Sequence, residues 1–209
     1  MAAYSGLDDC TIFDFETLSQ HPQNGVVVSM AMLNFSTRRF TTLDKPYTYE
    51  ELLSLCHYIK FDVKDQVKSW SRKIEKDTVE WWSKQSKEAQ DAIKPLSTDR
   101  SIADLYGFFV VNRATNMTKV YTRRNTFDPI FISSLMKTTG NPEPYDWWTV
   151  RDTISYIEGL SHGIDLKDNF IPEGLEEKFV AHDPRHDIAM DVMRIQTLVR
   201  ALELGDAHA

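Results

Sequence analysis

A chain of 209 residues, 42% of them hydrophobic and 26% charged, can bury one substantial core and fits a single domain over residues 1–209. Its net charge of −7, from 24 basic against 31 acidic residues, excludes a protein that grips duplex nucleic acid through a broadly basic surface, but leaves room for a nuclease with a local basic groove for one strand. Two cysteines, Cys10 and Cys56, are too few for a disulfide framework and lack Cys-x-x-Cys spacing, so a reducing intracellular compartment is expected.

The first ten residues carry neither a basic n-region nor an apolar h-region. The longest apolar run, Val26 to Leu33, is interrupted by Ser29 and too short to span a bilayer, so neither secretion nor membrane insertion is expected. Thr11 to Thr17 reads as a buried strand on which Asp14 and Glu16 share one face, while Ile12, Phe13 and Phe15 fix it in a core. Two carboxylates side by side at the end of a buried strand repel each other, and divalent cations are the usual remedy. Taken alone, Asp-x-Glu is a weak motif, because a solvated edge face has the same pattern.

A turn over Ser19 to Gly25 leads into a strand from Val26 to Phe35, and Arg38 to Leu43 is expected to return as a third strand of an antiparallel meander. Tyr49 to Tyr58 has helical apolar spacing, and Phe61 to Val63 reads as a short strand. Ser71 to Ile93 is helical and polar, with Asp77 or Thr78 as a cap and Glu80 completing a capping box. Trp81 and Trp82 lie about 100° apart on such a helix, so at most one is comfortable in the core and a stacking surface for a base is conceivable. Ile102 to Val111 reads as a helix and Lys119 to Thr122 as a strand.

Asp128 then stands at a helix start, with Pro129 in the first turn and Phe131, Ile132 and Leu135 facing the core; as a lone feature it is best read as an N-cap. The last helix has apolar positions Ile188, Val192, Ile195, Val199 and Leu202, Asp183 as its N-cap and Pro184 at its first position. Asp187 therefore sits about one turn in, and His182 lies in the preceding loop. A second frame, His186 with Asp191, overlaps the first. The His182–Asp187 frame is favoured because Asp187 is near the helix N-terminus and His182 is outside the helix.

Asp14-x-Glu16, Phe127-Asp128 and His182-x-x-x-x-Asp187, in that order, resemble the DEDDh 3′→5′ exonucleases of ribonuclease H-like fold. Lys60 to Lys64, Thr78 to Trp82, Trp148 to Asp152 and Phe179 to Asp183 look like segments of the members typified by exonuclease A of T-even phages and mycobacterial RNase AS. The resemblance implies an α/β fold with a mixed five-stranded sheet flanked by helices, and a metal-dependent 3′→5′ exonuclease. Such an enzyme degrades single-stranded DNA or RNA 3′ ends to nucleoside 5′-monophosphates in a cytoplasm, the host's where a phage encodes it. It also allows a homodimer.

In its terms Asp14, Glu16 and Asp187 would hold one Mg²⁺ or Mn²⁺, Asp14 with Asp128 a second, and His182 would be the general base. Thr17, Leu18, Trp81, Trp82, Arg124 and Phe127 would meet the substrate. Arg123, Arg124, Lys64, Lys68, Arg72 and Lys73 are candidate phosphate contacts. Leu18 and Ser19 depart from the family's Thr-Gly after the first motif, and Asn125 lies one residue nearer Asp128 than in many members. Neither departure touches a ligand; both bear on base preference. The rival readings are an inactive nucleic-acid-binding module and a phosphodiesterase on small nucleotides.

Overall fold

The structure is a computed structural model that describes residues 9–41, 45–162 and 166–204. In chain order the regular elements are β1 (Cys10–Thr17), β2 (Val27–Phe35), α1 (Tyr49–Leu55), β3 (His57–Lys60), α2 (Val63–Ser69), α3 (Lys76–Trp82), α4 (Lys87–Ala92), α5 (Leu105–Asn112), β4 (Lys119–Thr122), α6 (Asp128–Thr139), β5 (Val150–Asp152), α7 (Thr153–Leu160) and α8 (Pro184–Leu204). The strands form one sheet in the order β3-β2-β1-β4-β5. β1 is antiparallel to β2 and parallel to β4, β3 is antiparallel to β2, and β5 is parallel to β4. This is the mixed five-stranded sheet the resemblance implies. No helix among the described residues is long and apolar enough to cross a membrane.

Because β1 is central it is buried on both faces, and its two rows of side chains enter two different cores. Cys10 and Ile12 pack with Ile188, Val192, Ile195 and Val199 of α8. Phe13 and Phe15 pack with Leu105 and Phe109 of α5 and with Phe131, Ile132 and Leu135 of α6. Asp14 and Glu16 continue the α8-facing row past its apolar part, at the carboxyl end of the strand, next to a break in the β1–β2 register between Glu16 and Thr17.

Several expectations are corrected. Thr37–Thr41 is a 3-10 helix rather than a strand, because Phe40 turns inward to stack on Phe35 at 5.8 Å and Arg39 reaches back to both Glu51 oxygens, at 2.7 and 2.6 Å; residues 42–44 lie outside the described part. The third strand is β3, so the helix expected over Tyr49 to Tyr58 ends at Leu55 and Tyr58 is a strand residue. Phe61 makes only an isolated bridge to Arg100, and Asp62 starts α2 by accepting from Asp65 N at 3.0 Å, so Phe61 to Val63 is not a strand.

α3 begins before Asp77, with Glu75 at the cap and no side-chain cap bond, because the Glu75 carboxylate is already held by Ser19 Oγ and Gln20 N. A short 3-10 turn, Ile102–Asp104, precedes α5. In α8 the stripe is buried except Leu202, which is 58% exposed.

Candidate active site

β4 pairs with β1 only as far as Ile12, so the Phe15 N–H further along β1 has no strand partner on that side. Asp128 takes it, accepting from Phe15 N through Oδ1 at 3.2 Å. Asp128 is the first residue of α6 rather than its cap, a position held by Phe127, and it is almost wholly buried. Crevices beyond the carboxyl ends of strands are where open α/β sheets present their sites.

α8 approaches from the other face. Asp183 is its N-cap, accepting from Arg185 N at 3.0 Å, and this places Asp187 one turn in. Asp187 Oδ2 accepts from His182 N at 3.0 Å, which holds His182 at a left-handed φ of 65°. Ligand atoms of Glu16, His182 and Asp187 all lie within 4.8 Å of one another.

The competing frame is occupied by the fold. Asp191 is buried, paired with Arg123 and Arg194 at 2.6 Å each, and accepts from Thr153 Oγ1 at 2.8 Å. His186 Nδ1 lies 2.9 Å from the Tyr49 hydroxyl and accepts from Val180 N. Nearby cations are thus spent elsewhere, Arg185 on Asp183 included. Among the described residues no Lys or Arg forms an ion pair with Asp14, Glu16, Asp128 or Asp187.

Crowded acids without a cation hold on to protons. Burial, then the charges of Asp128, Glu16, Asp187 and Asp191, pushes the Asp14 carboxyl well above the usual range. Glu16 is raised by burial and by Asp187, Asp128 and Asp183. Burial lifts Asp128 to about 8, and burial with the Asp191 charge lifts Asp187 to about 7. Burial lowers the His182 pKa, which favours the neutral imidazole. A donor set of this kind, carboxylates with one imidazole and no counter-charge, fits a hard divalent cation.

The sign of the resulting pH dependence follows. Groups whose pKa is raised on folding stabilise the fold at low pH, and that contribution is lost as pH rises through the folded value. Metal-free protein is therefore expected to lose this contribution between about pH 4 and about pH 8, the span set by Asp187 and Asp128. Asp187→Asn should melt with wild type near pH 4 and above it at pH 8, by roughly 2–4 °C if the relief is about 1 kcal/mol. Thermal melts in EDTA across that range check this; a difference that shrinks with rising pH would remove the repulsion argument.

Next to the acids lies a cleft of about 530 Å³, lined by Glu16, Thr17, Trp81, Trp82, Arg124 and Phe127 together with Phe15, Gln20 and Thr78. Five of the six expected substrate residues thus meet in one place. Leu18 does not line it; its backbone stitches neighbouring segments, Leu18 N to Val26 O and Glu75 N to Leu18 O. The tryptophans divide as their helical separation requires. Trp82 is buried and donates Nε1–H to Thr17 O at 2.9 Å, while Trp81 is 41% exposed with its ring 4.7 Å from that of His182.

Two of the candidate phosphate contacts are structural. Arg72 is buried and donates to Gly25 O at 2.6 Å, and Arg123 bridges Asp191 and Asp168. Lys64, Lys68 and Lys73 are exposed and do not line the cleft. Gln20 lines it without any local signal that singled it out, and Thr78, read above as a cap candidate, lines it too.

Residues 10–190 match the family described as the 3′-5′ exoribonuclease Rv2179c-like domain. The exodeoxyribonuclease of Enterobacteria phage T4 is 31% identical over 217 residues, covering 94% of this chain and 92% of that protein. Among solved structures, the zinc-bound complex of E. coli exonuclease I with single-stranded DNA superposes with a TM-score of 0.55 at 14% identity, over 94% of this chain and 42% of that one. Exonuclease I from Methylocaldum szegediense gives 0.53 at 14% identity, over 93% and 41%. This chain spans about two fifths of those structures, and at such identities they speak for the fold alone.

Fold and relatives together define a 3′→5′ exonuclease of ribonuclease H-like fold, a hydrolase acting on nucleic acid. The chain belongs to the Rv2179c-like 3′-5′ exoribonuclease domain family.

Proposed function

We propose that this chain, as one exonuclease domain, removes nucleotides singly from the free 3′ end of single-stranded nucleic acid and releases nucleoside 5′-monophosphates. The observation that carries this reading is the group of carboxylates without a counter-cation, Glu16 and Asp128 buried and Asp14 and Asp187 half-buried, beside a cleft of nucleotide size. Asp14, Glu16 and Asp187 would hold one Mg²⁺ or Mn²⁺, and Asp14 with Asp128 a second. Such ions, when bound, supply positive charge at the reacting phosphate and make water acidic enough to attack near neutral pH.

His182 accepts a proton from the attacking water through its neutral imidazole. The new bond forms from water oxygen to phosphorus, the bond from phosphorus to the 3′ oxygen of the preceding nucleotide breaks, and that oxygen takes a proton from solvent water to become the new 3′ hydroxyl. Trp81 offers a face for the terminal base, with Phe127 and Trp82 as the cleft's other aromatic walls. Only a splayed end fits such a cleft, which is why single strands are the expected substrate.

The family description names an exoribonuclease and the T4 relative an exodeoxyribonuclease, so both sugars are proposed as substrates and tested together. End-labelled single-stranded DNA, RNA and a dinucleotide with Mg²⁺ should give mononucleotide ladders from the 3′ end. A bulky block on the 3′ hydroxyl should protect the strand. Equal cutting of closed circles would make the enzyme an endonuclease, and turnover confined to the dinucleotide would make it a small-nucleotide phosphodiesterase.

A further inference from the structure

Arg124 has a φ of 70°, the left-handed region that costs any residue with a Cβ, though less for Asn or Asp and nothing for Gly. The chain nevertheless carries an arginine there, at the wall of the cleft. Backbone strain at a site is a pointer to function when the surroundings over-determine it. Here they do. The Arg124 N–H donates to Asp152 Oδ1 at 2.9 Å. The other oxygen of Asp152 accepts from Ser155 N and from Ser155 Oγ at 2.7 Å, so the first turn of α7 pins the carboxylate.

Thr122 pairs with Asp152 across β4 and β5, which sets that carboxylate beside the strand end from which the turn departs. Arg123 anchors the turn on its other side through Asp191 and Asp168. Among the described residues the Arg124 guanidinium has no hydrogen bond or ion pair, and Arg124 is the one cation lining the cleft.

We propose that Asp152 is a positioning residue: it locks the turn after β4 in its strained form so that Arg124 presents its guanidinium to a phosphate of the bound strand. This rests on the exonuclease reading above. It gives a role to the Trp148-to-Asp152 segment that metal binding and proton transfer leave unused. Glu16 in the cleft and the acids beside it repel an incoming phosphate, and a fixed cation at the wall offsets that.

The test is steady-state kinetics on a single-stranded oligonucleotide together with thermal melting. Arg124→Asn keeps a residue tolerant of the left-handed region but removes the charge. It should raise KM roughly 10- to 100-fold, the worth of one charge-assisted hydrogen bond, with kcat little changed and a Tm no lower than wild type. Asp152→Ala should raise KM in the same direction, Asp152→Asn should restore most of it through its amide oxygen, and Ser155→Ala, which removes the 2.7 Å hydroxyl bond but leaves the Ser155 N–H on the carboxylate, should raise KM by less than Asp152→Ala.

The double variant Asp152→Ala/Arg124→Asn should be no worse in KM than Arg124→Asn alone. Multiplying effects, a lowered Tm in Arg124→Asn, or wild-type KM in Asp152→Ala would each overturn the positioning role while the exonuclease reading stands. A wild-type protein inactive on every single strand would overturn both.

Discussion

Asp14→Ala, Glu16→Ala and Asp187→Ala should each cut turnover on single-stranded substrate by roughly 10³-fold or more, the rate equivalent of the several kcal/mol that a held cation contributes at a phosphate. Each removes one oxygen donor from a cage in which the remaining acids still repel. The loss should therefore fall on metal affinity and turnover together, and raising the Mg²⁺ concentration should restore only part of it.

At Asp14 and Glu16 folding should not suffer, because these carboxylates have no protein cation to lose; in EDTA at pH 8 those variants, and Asp187→Asn, which keeps an oxygen for the His182 N–H, should melt with wild type or above it. Asp128 differs. It accepts the Phe15 N–H in a buried site, so Asp128→Ala strands a buried donor, at a cost of about 1–3 kcal/mol. Asp128→Asn keeps an oxygen there and is the cleaner test, with the same loss of activity. Undiminished wild-type turnover in EDTA would remove the metal assignment altogether.

What could be read before the fold was in view had a local period. Asp14 and Glu16 share a face because strands alternate, and Asp187 was placed by counting from a Pro-led helix start. Asp128 was visible at a helix start, but its reason was not: the Phe15 N–H is free only because β4 stops pairing at Ile12, a fact of sheet register. The segment from Arg38 has strand-like composition, yet Phe40 gains more by stacking on Phe35 than by alternating in a sheet.

Arginines were the least legible of all. A guanidinium reads as surface charge until its partner is known, and the partners of Arg123 and Arg72 are an aspartate 68 residues on and a carbonyl 47 residues back. The Asp152 contact with Arg124 likewise spans 28 residues and depends on the β4–β5 register.

The sharpest discrimination is between the two overlapping histidine frames. His182→Ala should lower kcat by roughly 10²–10⁴-fold, the usual worth of a general base, with metal binding retained. His182 sits in the loop before α8, within 4.8 Å of the Glu16 and Asp187 donors, and its ring lies 4.7 Å from that of Trp81, a residue of the cleft wall. Of the bonds that hold it, the one to Asp187 comes from the backbone, so alanine keeps that tether and loses only the imidazole.

His186 is instead engaged by the Tyr49 hydroxyl and the Val180 N–H, and its frame partner Asp191 is neutralised by two arginines. His186→Ala should leave kcat within a few-fold and show its cost in Tm, through a Tyr49 hydroxyl and a Val180 amide that lose an acceptor, at about 1–3 kcal/mol for a buried group left unpaired. Asp191→Ala should behave the same way but more severely, because it takes the carboxylate from buried Arg194 and one of the two carboxylates from Arg123, which keeps Asp168; breaking a buried pair costs about 3–5 kcal/mol. Kinetics and melts on the three variants separate the frames. A His186 variant that melts like wild type yet loses the larger share of kcat would move the base to the second frame.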